Sequence, residues 1–134
     1  MRKIITQSLF ATAFVLAATG HAQAQNATPA PAPTMQPHGY MVISYDIKDQ
    51  AMFQKYMDAA GSLAAKYKGK VTIFNMKVKG AEGKPRSIFG MVEFPNLADA
   101  QRFYNSPEYT AARKFRTAAT KGTSTVILTE GLPQ

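Results

Sequence analysis

Apolar and polar residues alternate in four separate stretches of the chain, which is the pattern of β-strands. The stretches cover residues 39–47, 70–79, 87–95 and 123–130. In the third stretch both side-chain rows are largely apolar, and Glu93 is its only charged residue before Pro95 ends the strand. A strand of this kind cannot have a side that faces water, so it is predicted to lie inside the sheet, covered on both faces.

Apolar residues recur at helical spacing between these strands. Three helices are predicted, with Asp49, Asn96 and Ser106 as their N-caps. The apolar positions run from residue 53 to 67 in the first and from 97 to 104 in the second, and the third covers residues 107–120. The first helix has the most regular pattern, and Gly69 is expected to end it in the left-handed conformation. The third helix begins with Pro107 at its first position, where a missing N–H costs nothing, and is predicted to end at Gly122.

The order of the elements is strand, helix, strand, strand, helices, strand. It predicts an α+β domain with the ferredoxin-like βαββαβ arrangement, in which a four-stranded antiparallel sheet carries helices on one face. Strict alternation in the second strand places Val71 and Ile73 on the same face. The opposite face of the sheet has no helix, although three of the four strands are largely apolar on both sides. Such a face is expected to be an interface, which predicts a homodimer whose two sheets pack face to face as a dimeric α+β barrel.

The first 24 residues have the composition of a targeting segment. Residues 1–3 carry two positive charges, residues 4–18 are mostly apolar, and Ala22-Gln23-Ala24 is a small-x-small cleavage pattern. This predicts a secretory signal peptide over residues 1–24, cut after Ala24, and a mature protein that is periplasmic or secreted. The apolar stretch is shorter than the roughly 20 residues of a membrane helix, so no stable membrane span is expected after cleavage.

The residues after the predicted cleavage site divide into a linker and one domain. Residues 25–38 are rich in Ala, Pro and Thr and carry no charge, which predicts a disordered linker. Residues 39–131 contain all of the predicted strands and helices and are expected to form the dimeric α+β barrel domain.

The chain is basic, with 16 Lys and Arg against 8 Asp and Glu and a formal net charge of +8 over 134 residues. Clustered positive charge is a property of nucleic-acid-binding proteins, but export argues against a nucleic-acid partner, and a solvated basic face is the simpler interpretation. The chain contains no Cys, which excludes disulfides and thiolate metal sites. Stability must therefore come from packing.

Several short motifs resemble those of one family. They are Gly39-Tyr40, Tyr67-Lys68-Gly69, Glu93-Phe94-Pro95, and Ser106-Pro107-Glu108-Tyr109 followed by Arg116. In these motifs the chain resembles the uncharacterised DUF family numbered 1330 over roughly residues 39–131, with Lys70 standing where a second glycine is usual. The resemblance implies a dimeric α+β barrel, a superfamily that also holds cofactor-independent monooxygenases, lactone isomerases and haem-degrading enzymes. It implies no activity, because no catalytic residues are established for the family.

Few residues of the sequence are suited to catalysis. Of the two histidines, His21 leaves with the predicted signal peptide and His38 precedes the first strand. No cluster of His, Asp or Glu is visible, so neither a metal site nor a cofactor is predicted. Glu93 is the candidate acid or base, because a carboxylate in an apolar strand must find a cation or have its pKa raised.

Tyrosines are the candidates for ligand binding, because each has an apolar ring and a polar tip. Tyr45, Tyr104 and Tyr109 are predicted to line a pocket between the sheet and the helices, suited to a small aromatic ligand. With Glu93 and Arg116 they complete the set of predicted ligand-binding residues.

The sequence leaves the function open between classes. The first hypothesis is an exported homodimer without enzymatic activity that binds a small, partly apolar molecule. The second is a cofactor-independent isomerase or monooxygenase-like enzyme of the same superfamily with Glu93 as its acid or base, which rests on analogy of fold. A third is an interaction of the basic face with the cell envelope. The sequence names no ligand and no physiological role.

Overall fold

The computed structural model describes residues 35–133, so the predicted signal peptide and residues 25–34 of the predicted linker lie outside the described residues. The elements in chain order are β1 (Gly39–Tyr45), α1 (Gln50–Ala60), α2 (Leu63–Lys66), β2 (Lys70–Asn75), β3 (Ile88–Phe94), α3 (Leu97–Asn105), α4 (Pro107–Thr120) and β4 (Thr125–Glu130). Within the described range, no helix is both long and apolar enough to cross a membrane.

The four strands form one antiparallel sheet in the order β2-β3-β1-β4. This confirms the predicted ferredoxin-like arrangement, with β1 and β3 in the centre and the helices on one face. In both central strands, buried residues alternate with half-buried ones, as expected for strands with one face under the helices. The helix-covered face of the two central strands presents Met41, Ile43, Tyr45, Ile88, Val92 and Phe94 to the core.

Aromatic rings fill the core where α3 and α4 meet the sheet. The ring centroid of Phe103 lies 5.4 Å from that of Phe94, 4.4 Å from that of Tyr109 and 5.8 Å from that of Tyr67. All of these distances fall in the range of favourable aromatic pairs or just below it. Phe103 thus joins β3, α3, α4 and the residue after α2 in one packed cluster.

The prediction of one continuous helix from the Asp49 cap to Tyr67 is wrong, because the structure contains α1 and the short α2 instead. The break lies at Gly61 and Ser62, two residues with poor helix propensity. Asp49 does cap α1, since its side chain accepts a hydrogen bond of 3.0 Å from the backbone N–H of Met52. The break turns the chain so that Ala64, on α2, is buried against the core.

The residue in the left-handed conformation before β2 is Lys68, with φ of 63°, and the prediction of Gly69 in that role is wrong. Glycine is required at position 69 for a different reason, namely lack of space for a side chain. A Cβ there would lie 2.6 Å from Cε1 of Phe94 and 2.9 Å from the carbonyl oxygen of Ala64. The close approach of the chain to the buried Phe94 ring therefore requires a residue without a side chain.

A β-bulge interrupts β2 between Val71 and Ile73. Val71 pairs with Val92 and Ile73 with Met91, so two steps along β2 match one step along β3. The prediction that Val71 and Ile73 share a face is therefore wrong: Val71 lies on the helix side and Ile73 on the other. The extra residue, Thr72, donates a hydrogen bond of 3.2 Å from its hydroxyl to the Met91 carbonyl.

The helix-free face of the sheet carries an apolar row that crosses all four strands. The strand register places side by side Ile73 of β2, Met91 of β3, Val42 of β1 and Ile127 of β4. Ile127 is 50% exposed and Ile73 40% exposed, while the two central members are half-buried. The neighbouring rows are mixed and consist of Lys70, Glu93, Tyr40 and Thr129 on one side and of Asn75, Phe89, Ser44 and Thr125 on the other.

Ser106 joins α3 to α4 without an intervening loop. Its hydroxyl donates a hydrogen bond of 2.8 Å to the carbonyl of Phe103 and accepts one of 3.2 Å from the backbone N–H of Tyr109. The same hydroxyl therefore satisfies a carbonyl at the end of α3 and an amide at the start of α4. This confirms the predicted cap and brings Tyr109 into the core on the first turn of α4.

Candidate functional site

A cavity of about 230 Å³ lies between the helix-covered face of the sheet and α1. Its residues are mainly apolar, with Met41, Ile43 and Val92 from the central strands and Met57, Ala60 and Ala64 from the helical side. Val71 and Phe74 of β2 also line it and are 53% and 40% exposed, so this strand forms the open side. Residues of α1 and of the central strands line the cavity from opposite sides. The short α2 packs against β2, and Val71 and Phe74 stay exposed beside it.

Three tyrosines line this cavity and are buried: Tyr45 of β1, Tyr56 of α1 and Tyr109 of α4. The hydroxyl oxygens of Tyr56 and Tyr109 are 3.3 Å apart and share a hydrogen bond. The hydroxyl of Tyr45 is buried and has no hydrogen-bond partner within residues 35–133. A phenol hydroxyl without a partner in an apolar interior is costly to bury, so Tyr45 is a candidate for contact with a ligand.

Arg116 lies behind these tyrosines and is only 4% exposed. Its Nη1 donates a hydrogen bond of 3.1 Å to the hydroxyl of Tyr109, and its guanidinium carbon is 5.9 Å and 6.0 Å from the ring centroids of Tyr109 and Tyr56. Within the described part of the chain Arg116 forms no salt bridge, and its Nε has no hydrogen-bond partner. The positive charge is therefore buried with aromatic and hydroxyl neighbours in place of a carboxylate.

The environment keeps all three hydroxyls protonated at neutral pH. Burial raises the pKa of Tyr45 to about 12, even though the positive charge of Arg116 acts in the opposite direction. Burial also raises the pKa of Tyr56 and that of Tyr109. Each hydroxyl is therefore available as a hydrogen-bond donor.

The structure brings together three of the five predicted ligand-binding residues, namely Tyr45, Tyr109 and Arg116. Tyr56 belongs to the same group but was not predicted, because a tyrosine at helical spacing has the same pattern as a core residue. Tyr104 is half-buried and does not line the cavity; its ring packs 5.7 Å from that of Tyr109, and the Arg113 guanidinium carbon lies 4.6 Å from its centroid.

Glu93 lies away from this group, on the helix-free face of the sheet. Its Oε1 is 3.2 Å from Nδ1 of His38, and its side chain is 31% exposed. Within the sheet Glu93 is flanked by Tyr40 and Lys70, and the carboxylate contributes to raising the pKa of Tyr40 after the larger effect of burial. Glu93 therefore has an imidazole in reach and contact with solvent, which is the surrounding of a structural carboxylate.

A family model described as "Domain of unknown function (DUF1330)" matches residues 38–132. The match covers the sheet, all four helices and the cavity. The chain belongs to the DUF1330 family. No curated protein matches the sequence at a significant level. The function of the DUF1330 domain must therefore be inferred from its structure, in particular from the buried tyrosines and Arg116.

Solved structures that resemble the DUF1330 domain support the fold. A protein of unknown function from Rhodopseudomonas palustris has a TM-score of 0.57 at 18% identity, over 76% of this chain and 88% of its own. A dimeric protein of unknown function with a ferredoxin-like fold from Bacteroides fragilis has a TM-score of 0.51 at 21% identity, over 72% of this chain and 99% of its own. A candidate antibiotic biosynthesis monooxygenase from Caulobacter crescentus has a TM-score of 0.51 at 12% identity, over 74% of this chain and 93% of its own. At these identities the similarity establishes the fold alone.

Acidic and imidazole side chains are sparse around the cavity of the DUF1330 domain. The described residues that line it include no carboxylate and no histidine. Across residues 35–133, no three His, Asp or Glu side chains are grouped closely enough to hold a metal ion. The chemistry that the described walls offer is therefore hydrogen-bond donation from phenols, supported by one buried guanidinium.

Proposed function

We propose that this DUF1330 domain is an exported homodimeric module that binds a small, partly apolar molecule in the cavity between α1 and the sheet. The observation that supports it most is an apolar cavity, open beside β2, whose lining residues include Tyr45, a buried tyrosine whose hydroxyl has no partner within residues 35–133. An apolar cavity of roughly 150 Å³ is enough to hold benzene. The volume of about 230 Å³ therefore fits a molecule of one ring with a few further atoms.

The second part of the proposal is that two copies pair through their helix-free faces. The apolar row from Ile73 to Ile127 crosses the full width of the sheet, and two such rows would cover each other in a symmetric dimer. The protein from Bacteroides fragilis that shares the fold is described as dimeric. A second copy of this chain is therefore the occupant that we propose for this face.

Export is the third part of the proposal and rests on the sequence of residues 1–24. A basic start, an apolar stretch and a small-residue cleavage pattern support removal of these residues during secretion. The intact mass of the protein recovered from its own cells tests this proposal. A mature chain that begins at Gln25 and is found in the periplasm or the medium is expected, whereas a full-length intracellular protein would contradict it.

An enzyme is the alternative, and the fold shared with a candidate monooxygenase supports it at the level of architecture. The sequence offered Glu93 as its acid or base, but this carboxylate lies on the face of the sheet opposite the cavity. A cofactor-independent isomerase or oxygenase would then have to use phenols and a guanidinium in the cavity. The binding module needs no such acid or base and accounts for the same residues.

The experiment compares two alanines of α1 that differ in where they point. Ala60 lines the cavity, whereas the neighbouring Ala59 is exposed. In Ala60→Phe the new ring occupies the cavity, so titration calorimetry with a one-ring probe such as ethylbenzene should detect no binding. Ala59→Phe is the matched control and should bind like the unchanged protein. Absence of binding to the unchanged protein, or equal binding by both variants, would contradict a ligand site in this cavity.

A further inference from the structure

The polar groups around the cavity have more hydrogen-bond donors than acceptors. Tyr45, Tyr56 and Tyr109 bring three hydroxyl protons, and the hydrogen bond between the last two uses one of them. Two protons remain without an acceptor within residues 35–133, whichever tyrosine donates. Arg116 adds donors and supplies no acceptor, and its Nε is also without a partner.

The positions of these groups are coupled through Arg116. Its Nη1 donates to the oxygen of Tyr109, so the proton of Tyr109 must point elsewhere. Tyr45 and Tyr109 line the same cavity, and the positive charge of Arg116 acts against the burial that raises the pKa of Tyr45. The electrostatic field at this end of the cavity is therefore positive, and it is not neutralised by a carboxylate of the described residues.

We infer that the ligand of this cavity presents an oxygen acceptor, as a ketone carbonyl or a carboxylate, to the hydroxyl protons beside Arg116, with its apolar ring between α1 and β2. The inference rests on the proposed function, because it needs a ligand in the same cavity. The acceptor would satisfy hydroxyl protons that now lack a partner, and a negative oxygen would be stabilised by the buried guanidinium. A cation, or a molecule with hydrogen-bond donors alone, would leave the hydroxyl protons without an acceptor and the guanidinium without a negative partner.

Four probes of nearly equal size separate this inference from the proposed function. Ethylbenzene has no polar atom, acetophenone has a neutral carbonyl, benzoate has a carboxylate and benzylamine has a cation. One hydrogen bond to a buried donor corresponds to an affinity gain of about tenfold. We therefore expect acetophenone and benzoate to bind about tenfold tighter than ethylbenzene, and benzylamine to bind more weakly than ethylbenzene.

Tyr45→Phe is the decisive variant, because it removes a hydroxyl that has no partner in the described structure and should fold normally. It should reduce the preference for acetophenone over ethylbenzene to less than about threefold. Arg116→Met should weaken benzoate more than acetophenone, with circular dichroism to confirm its fold. The result with Tyr45→Phe alone decides the inference if Arg116→Met does not fold.

The outcomes distinguish the two proposals. If ethylbenzene binds in the cavity but the four probes bind equally, or if Tyr45→Phe keeps the preference for acetophenone, the inference is overturned and the proposed function stands. If none of the four probes binds to the unchanged protein, both are overturned. A carbonyl preference that disappears in Tyr45→Phe supports both.

Discussion

The hydroxyl of Tyr67 donates a hydrogen bond of 3.0 Å to Oε2 of Glu108. Oε1 of the same carboxylate is 2.7 Å from Nζ of Lys66. Glu108 lies in the first turn of α4, so this contact holds the end of α2 against the positive end of the α4 dipole. The hydrogen bond from Lys66 is the largest cause that lowers the pKa of Glu108 to about 2, and the hydrogen bond from Tyr67 contributes to the same shift.

Replacing tyrosine by phenylalanine should change the free energy of unfolding in opposite directions at positions 67 and 45. Tyr67→Phe loses a hydrogen bond to a charged acceptor and should lower the free energy of unfolding by about 1 kcal/mol. Tyr45→Phe removes a buried hydroxyl without a partner and should raise the free energy of unfolding by about 1 kcal/mol. Urea denaturation of the ligand-free protein measures both. A lower stability of Tyr45→Phe would mean that its hydroxyl has a partner in solution.

Stability is expected to fall in acid because of Asp46. Its side chain accepts hydrogen bonds from the backbone N–H of Ser87 at 2.8 Å and from Arg86 at 3.0 Å, which lower its pKa from 3.8 to about 2. Because the pKa is lower in the folded protein, this stabilisation is present above about pH 4 and is lost as the pH falls towards 2.

Asp46→Asn should therefore be less stable than the unchanged protein at neutral pH, with the difference decreasing between about pH 4 and about pH 2. Thermal unfolding followed by circular dichroism at several pH values measures this change. Glu82→Gln, in the exposed loop between β2 and β3, is the control for loss of one negative charge. A difference that is independent of pH would show that Asp46 acts through shape and not through charge.

Introducing a glycine at position 68 and removing the glycine at position 69 should change the stability of the domain in opposite directions. Lys68→Gly removes a side chain from a left-handed residue and should stabilise the domain by about 0.5 kcal/mol, after the entropy cost of glycine. Gly69→Ala places a methyl group against the buried Phe94 ring and should destabilise it by about 1 to 3 kcal/mol. Urea denaturation of both variants decides. A neutral Gly69→Ala would contradict the close packing.

The proposed dimer is tested at the exposed end of the apolar row. Ile127→Lys introduces a charge that would be buried between two sheets, so light scattering should find a monomer. Ala118→Lys adds the same charge on an exposed position of α4 and should leave the dimer intact. A monomeric unchanged protein, or a dimer that persists in Ile127→Lys, would contradict pairing through this face.

The sequence was sufficient to predict the fold because local signals agreed with the global arrangement. The side chains of Asp49, Asn96 and Ser106 all accept the expected capping hydrogen bonds, and alternation assigned the faces of β1, β3 and β4 correctly. The face of Val71 could not be predicted, because alternation does not locate the extra residue of a bulge.

The candidate site was predictable only in part, because its members come from β1, α1 and α4. Tyr56 has the pattern of a core residue, and its contact with Tyr109 joins positions 53 residues apart. On α4, helical spacing alone does not decide whether Phe115 or Arg116 faces the core. The structure buries the arginine and leaves Phe115 36% exposed, an arrangement that only the neighbouring tyrosines make favourable.

Ser106 also determines the angular phase of α4. Each residue of an α-helix advances the side chains by about 100°, so the residue at which the helix starts decides which side chains meet the sheet. Tyr109 and Arg116 are two turns apart, so they lie on the same side of α4, and the cap at Ser106 fixes the first turn from which Tyr109 enters the interior. A rotation of α4 by one residue would turn both side chains away from Tyr45 and Tyr56. One serine hydroxyl at the junction of two helices thus helps to fix which side chains of α4 meet the buried tyrosines.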